Sequence, residues 1–300
     1  MLDLGRLRAL HAVDAHGSIA AAAAALGYTP SAVSQQIAKL ERETGSRLLE
    51  RRGRGVALTD AAQLLVETAE KVLGIVEQAE VALEERRGRP TGVLNVAAFP
   101  TAARGLLPPV LAALAARHPD LDLRMSEQDP HLAPGLVARG AVDLAVVHDW
   151  DIAPLAEPEG LSRALLGEDR CDLLLPRGHP LAARPALVRA DVAGERWIVQ
   201  PVGTVCHDWL LRTLRAGGGA EPDVAYQVAE FETQVALVAA GLGIALVPRL
   251  GRGTLPEQVV VRPLDPAPVR RLFAVWRTGA SRRPAIVEAV RLLRADRSPG

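Results

Sequence analysis

Apolar residues recur at Leu4, Leu7, Leu10 and Val13, the spacing of one helical face, and predict a helix over residues 4–15. "HGS" ends it, Gly17 suiting a helix C-terminus and Ser18 a new N-cap. The run "IAAAAAAL", Ile19 to Leu26, is a second helix made almost entirely of methyl groups, closed by Gly27. Thr29 then caps a third helix, with Pro30 at the first position, where a missing N–H costs nothing, and Gly45 beyond its end at Thr44. Two helices joined by a short Gly-containing turn are the helix-turn-helix pattern. The small side chains of the second helix let another helix lie close across it. On the third, Val33, Ile37 and Leu40 recur at i, i+4 and i+7 and should point inward. Ser31, Ser34, Gln35, Ala38 and Arg42 lie on another side, with Gln36 and Lys39 beside them.

"LLER" and "GVALT" read as two short strands around a basic turn that presents Arg51, Arg52 and Arg54, a wing beside the third helix. Thr59 and Asp60 open a long helix to about Arg87, on the order of 40 Å at 1.5 Å per residue. Its apolar stripe, Leu65, Ala69, Val72, Val76, Ala79 and Leu83, has coiled-coil spacing and calls for a partner, most simply a second copy of the chain. "RRGRPTG", Arg86 to Gly92, reads as a linker and domain boundary. Beyond it strands alternate with helices, the mark of an α/β, mostly parallel sheet. The strands are "GVLNVAAF", "LDLRMSEQD", "VDLAVVHD", "RWIVQPV", "DVAYQVAE", "IALVP" and "RRLFAVW". The helices are 104–118, 132–139, 205–214, 233–240 and 284–295. "GGG" at Gly217 to Gly219 follows a helix instead of opening one, so it is not a nucleotide fingerprint.

The 300 residues suggest about two domains at roughly 150 residues each. Formal charge is zero, so any attraction to nucleic acid must be local. Residues 1–58 supply it, with eight Lys or Arg against five acids. Two cysteines, Cys171 and Cys206, are too few for a secreted disulfide framework. No charged-then-apolar leader opens the chain, and "VALVAAGLGIALVP" is too short to span a bilayer. The expectation is a soluble cytoplasmic protein with no membrane partner.

Gln pairs in two places with adenine's major-groove edge, Ser adapts, and Lys or Arg reads guanine or grips phosphate. The outer face of the third helix therefore suits DNA, with a solvated helix face, or one serving protein contacts, as the alternative. Ligands in open α/β sheets bind outside the C-terminal strand ends. Here those ends are Ala98 to Thr101, His148 to Asp151, Gln200 to Thr204 and Glu230 to Thr233. "FPTA" offers Thr101 and free N–H groups to a carboxylate. "PVGTV" offers Thr204 from the opposite side, and Trp150 and Phe231 can stack on a ligand or line its rim. His148, Asp149 and Asp151 lack a second ligand pair at matching spacing, so no metal or other cofactor is expected. In "CHD", Cys206 to Asp208, adjacent helical residues point apart, so no catalytic relay and no enzyme is expected. Cys206 at a helix start could be a redox sensor, but its partner would have to be Cys171, and nothing in the sequence places them together.

The chain resembles the LysR-type transcriptional regulators over essentially its whole length. The resemblance rests on "GSIAAAAAALGYTPSAVSQQIAKLERETGSRLLERRGRGVALTDAA", "GVLNVAAFPTAARGLLPPVLAALAARHPDLDL", "RGAVDLAVV" and "LVAAGLGIALVP". It implies a winged helix-turn-helix over 1–58, a dimerising linker helix and hinge over 59–90, and a two-lobed, periplasmic-binding-protein-like effector domain over 91–300. Lobe one would hold 91–166 and 268–300 and lobe two 167–267, joined by two crossover strands. It implies a homodimer, usually built into a homotetramer, that binds double-stranded DNA and a small-molecule effector between the lobes. Carried over by residue, the DNA set is Thr29, Pro30, Ser31, Ser34, Gln35 and Lys39, with Arg51, Arg52 and Arg54 on the wing. The effector set is Phe99, Thr101, His148, Trp150, Pro201, Thr204, Glu230, Phe231 and Thr233. The nearly all-alanine second helix departs from the family, which usually carries some polar residues there, and implies fewer side-chain phosphate contacts from that helix.

Overall fold

The computed structural model describes residues 2–52, 55–150, 154–155, 159–216 and 222–295. The N-terminal unit follows from its caps. Asp3, Ser18 and Thr29 accept the N–H groups of Arg6, Ala21 and Ala32 and start α1 (Leu4–His16), α2 (Ile19–Leu26) and α3 (Pro30–Thr44). Each ends on a glycine at φ 65 to 70° (Gly17, Gly27, Gly45), a conformation a side chain would strain. Val33 and Ile37 of α3 bury against Val13, Ala22 and Ala23, so the alanine helix lets α1 and α3 approach from both sides. β1 (Leu49–Arg52) and β2 (Gly55–Leu58) form the antiparallel wing. Glu41 anchors it by accepting the Leu48 and Leu49 N–H groups at 2.8 and 3.4 Å.

Thr59 caps α4 (Asp60–Arg87), a single helix about 42 Å long. Its first turns do not wait for a partner chain. Ala62, Val66 and Ala69 bury with Leu65 and Leu73 against Leu7, Leu10 and Leu40. Two positions of the expected seam, Leu65 and Ala69, are therefore spent inside the chain. The large apolar side chains left exposed on α4 are Leu64, Ile75 and Leu83. At the far end Arg283 holds α4 to the next domain. It donates to Glu84 at 3.3 Å, to Asp143 at 3.0 Å and to the Val93 carbonyl at 2.6 Å.

The C-terminal region begins with β3 (Gly92–Ala98), α5 (Pro100–Gly105), α6 (Leu107–Arg117), β4 (Leu121–Glu127), α7 (Ala133–Ala138) and β5 (Leu144–Trp150). The single helix expected over 104–118 is broken at Leu106, because Pro108 and Pro109 start a new helix and cannot continue an old one. β6 (Leu161–Pro176) follows, then β7 (Leu187–Val188), α8 (Arg189–Val192), β8 (Arg196–Val199), α9 (Val205–Ala216), β9 (Asp223–Gln227), α10 (Phe231–Ala239), β10 (Ala245–Pro248), β11 (Val259–Arg262) and β12 (Leu264–Asp265). The chain returns through β13 (Val269–Arg277) and ends the described region on α11 (Pro284–Ala295), packed on α6.

The principal sheet runs β4–β3–β5–β13–β6–β10, with β11 also on β6. The sixteen-residue β6 matches none of the strands expected from periodicity, yet it belongs to both lobes. Residues 161–170 pair with β13, whereas 171–176 pair with β10 and β11. A bulge opposite Leu272 and Phe273 falls at Leu166–Gly167, where the expected lobe boundary lies, and the change of partner follows four residues later.

Charges fix that junction. The Arg270 guanidinium, 1% exposed, pairs with Asp169 at 2.7 Å and donates to Thr101 Oγ1 at 2.6 Å. Asp169 also accepts the Leu250 N–H at 2.9 Å. Asp172 takes a bidentate pair from Arg249 at 2.9 and 2.7 Å and a third bond from Arg252 at 2.8 Å. Burial pushes the Asp172 carboxyl up, but the bonds from both arginines outweigh it and hold it below the usual carboxylate range. Its stabilisation is therefore complete above about pH 4 and is lost as the pH falls through the lowered pKa.

Removing one member of a buried ion pair strands the other. Asp169→Ala is expected to destabilise the domain by about 3–5 kcal/mol in chemical denaturation. Arg104→Ala, which removes the exposed Arg104–Glu232 pair at 3.4 Å, should cost less than about 1 kcal/mol of ion-pair energy.

Candidate functional site

Two surfaces concentrate chemistry. The first is the outer face of α3. Thr29, Pro30, Ser31, Ser34, Gln35 and Lys39 are all exposed on it, with Tyr28 beside them at 57% exposure. Thr29 Oγ1 is occupied as the cap and contacts Ser31 Oγ at 3.0 Å, and Ser34 Oγ donates to the Pro30 carbonyl at 2.9 Å. Among the described residues, neither Gln35 nor Lys39 has a hydrogen-bond partner within the chain. The Arg51 and Arg52 backbones lie in β1, while their side chains, and all of Arg54, fall outside the described residues.

The second lies between the lobes, where β5 ends against α9. An aromatic ladder crosses the gap. The Phe99 and His148 rings meet edge-on at 4.6 Å, His148 and Trp150 at 6.2 Å, and Trp150 stacks on Trp209 at 4.0 Å. Cys206, in the first turn of α9, places its sulfur 3.9 Å from His148 Nε2. A cavity of about 20 Å³ opens beside it. That is room for about one water-sized molecule. Its walls include Trp150, Cys171, Gln200, Cys206, Trp209 and Phe231, and no lysine, arginine or acid is among the described residues that line it.

Electrostatics set the protonation states. Burial, then the Arg270 charge and His131, push His148 well below the ordinary imidazole value, so the ring is neutral, and among the described residues its Nδ1 has no hydrogen-bond partner. Burial raises the Cys206 thiol, against the pull of Arg270 and the Trp150 indole. Desolvation thus outweighs the lowering that a helix start exerts on a thiol. Among the described residues the Trp150 N–H completes no hydrogen bond, but its dipole favours the Cys206 thiolate. Cys171 is raised well above its ordinary value, chiefly by burial.

Phe99, His148, Trp150 and Phe231 of the expected effector set converge here. Thr101 lies 2% exposed with Oγ1 engaged by Arg270, so the proposed carboxylate site at "FPTA" is already occupied by the chain itself. Thr204 turns back on its own loop, donating to the Pro201 carbonyl at 2.8 Å. Thr233 donates to Glu230 at 3.1 Å on an exposed rim. Asp149 accepts from two of the three guanidinium nitrogens of Arg271, each at 2.9 Å, and Asp151 lies outside the described residues. His207 and Asp208 were expected to point apart, but they touch at 3.1 Å, while Cys206 turns to His148. Cys171 and Cys206, which the sequence could not place together, line one cavity. Trp209 and Arg270 were missed. Trp209 carries a signal, three residues from Cys206 on one helical face. A buried arginine next to exposed ones carries none.

Residues 87–298 match the family model described as the LysR substrate binding domain, and residues 4–63 match the bacterial regulatory helix-turn-helix of the lysR family. A Streptomyces viridosporus protein described as a probable hydrogen peroxide-inducible genes activator is 33% identical over 97% of this chain and 93% of its own. A full-length OxyR from Pseudomonas aeruginosa with one cysteine replaced by aspartate shares the fold at a TM-score of 0.72, with 22% identity over 98% of both chains. A Corynebacterium glutamicum OxyR with a cysteine-to-serine substitution, bound to hydrogen peroxide, aligns at a TM-score of 0.60 and 25% identity, over 98% of this chain and 93% of that one.

Because Cys206 is held as a thiol near neutrality, its alkylation by iodoacetamide should be slow at pH 7. It should accelerate toward pH 9, by up to about tenfold per unit while thiolate is the minor form. A rate flat across that range would show a thiolate already formed.

Proposed function

The chain belongs to the LysR family of DNA-binding transcriptional regulators with an effector-binding domain, and we propose that its effector is a small uncharged oxidant, a peroxide, read by the Cys206 thiol. The observation that carries this is the thiol facing a neutral imidazole at 3.9 Å beside a one-molecule cavity whose described lining holds no cation. An anionic metabolite would need a positive lining and more room. The naming of relatives for hydrogen peroxide points the same way. One oxidation per chain is a signal and not a turnover, so the reading contains no enzymatic activity.

The DNA end of the proposal assigns base edges to Ser34 and Gln35 and backbone contacts to Thr29, Pro30, Ser31, Lys39 and the wing arginines Arg51, Arg52 and Arg54. Its support is the exposure of the α3 face and the unengaged Gln35 and Lys39. We assign pairing of chains to α4, where Leu64, Ile75 and Leu83 are exposed, giving a homodimer that assembles to a tetramer in the cytoplasm. No described helix is long and apolar enough to cross a membrane. Two recognition helices then read half-sites about 34–36 Å apart, one turn of DNA. Oxidation acts by stabilising one of two pre-existing arrangements of the assembly.

Affinity selection of genomic DNA by the full-length protein should return a two-fold symmetric site. Gln35→Ala should relax the preference at one base position, worth about 1–3 kcal/mol. Arg52→Ala should weaken all sequences alike and flatten the salt dependence by about one unit of slope. An unchanged preference in Gln35→Ala would remove that residue from the base contacts.

In a reporter strain, Cys206→Ser should abolish the peroxide response while leaving the reduced protein's DNA affinity within about twofold, or roughly 0.4 kcal/mol. A retained response would move the sensor elsewhere.

A further inference from the structure

We propose that Cys171 is the resolving thiol for Cys206, so that oxidation closes an intramolecular disulfide between the crossover strand β6 and the first turn of α9. The inference rests on the peroxide reading above. These are the chain's only two cysteines, both are reduced, and both face the same small cavity within one apolar cluster.

The two ends differ in freedom. Cys171 is fixed, since it pairs with Pro248 of β10 and its N–H donates to the Pro268 carbonyl at 2.9 Å. Cys206 begins a helix entered through exposed Gly203 at φ 88°, a backbone state that suits a hinge. A disulfide needs Cα atoms about 4.4–6.8 Å apart, so any adjustment falls to α9. That movement draws Trp209 off its stack on Trp150, giving the bond an optical signature.

The chemistry balances with hydrogen peroxide as oxidant. His148 Nε2, on a neutral ring, is placed to accept the Cys206 proton. The sulfur attacks one peroxide oxygen, the O–O bond breaks, and the leaving hydroxide takes up a proton as water, leaving Cys206 as a sulfenic acid. The Cys171 sulfur then attacks the Cys206 sulfur, the S–O bond breaks, and a second water leaves. Two electrons pass from the two thiols to the peroxide. The new bond lies between Asp169 and Asp172, the carboxylates that bind Arg270, Arg249 and Arg252 at the junction of the lobes. Oxidation is thereby written into the segment that sets how the lobes meet.

The test treats full-length, fully reduced protein with one to a few equivalents of hydrogen peroxide, then alkylates and reads intact mass and peptides without reduction. Wild type should lose both thiols, lose the mass of two hydrogens per chain, and yield a peptide linking Cys171 to Cys206, with a change in tryptophan emission. Cys171→Ser should stop at a sulfenic acid on Cys206, trapped by dimedone, without that emission change. Cys171→Ala should do the same and covers the case in which a buried serine hydroxyl unfolds the domain. A wild-type protein whose Cys206 is oxidised while Cys171 stays alkylatable overturns the disulfide and keeps the peroxide reading. Crosslinks formed only between chains do likewise. Two thiols untouched by peroxide overturn the peroxide reading, and the disulfide with it.

Discussion

Arg270 is the charge around which the effector domain is arranged. A guanidinium at 1% exposure has lost its water and is tolerable only if fully engaged. Asp169 from the crossover strand neutralises it, Thr101 from lobe one accepts from it, and the Phe99 ring lies 4.9 Å beneath it. That one group thus fixes β6, β13 and the β3–α5 turn together. Its field adds to burial in disfavouring a proton on His148 and opposes the larger effect of burial, which raises the Cys206 and Cys171 thiols.

At the other end the same economy of parts holds without charge. Between Ile19 and Leu26, which pack at its two ends, the alanine helix offers only methyl groups, so its neighbours set the geometry of α3. Glu41, the first acid on that helix, is not a repulsive element facing DNA. It is turned back to hold the wing by two backbone N–H groups. Polar residues on α3 thus divide into those that hold the domain together and those left to meet something outside it.

Local rules made the chain legible as far as Arg87. Caps, glycine stops and apolar spacing gave α1 to α4 to within a residue or two, because each is decided by neighbours in sequence. β6 escaped notice because it is buried differently in its two halves, so no single period runs through it. That strand ends converge between the lobes was legible by topology, since they do so whatever their side chains. The chemistry there was not. That Thr101 would serve Arg270, that Cys206 would find His148 fifty-eight residues away, and that desolvation would outweigh the helix terminus at the thiol are all consequences of long-range packing. Aromatic and cysteine content marked the participants without saying who meets whom.

α4 carries a mechanical consequence. It is one uninterrupted rod, embedded in the winged unit through Ala62, Val66 and Ala69 and bolted to lobe one through Glu84 and Arg283. Such a rod works as a lever. Over about 42 Å, each degree of tilt imposed at the Arg283 end sweeps the other end through roughly 0.7 Å. A rotation of five degrees would therefore carry it across about one base-pair rise of DNA, a displacement of about 3.4 Å. The gearing lies in the helix's length, so a lobe movement too small to disturb any core contact is large enough to take a protein out of register with its operator.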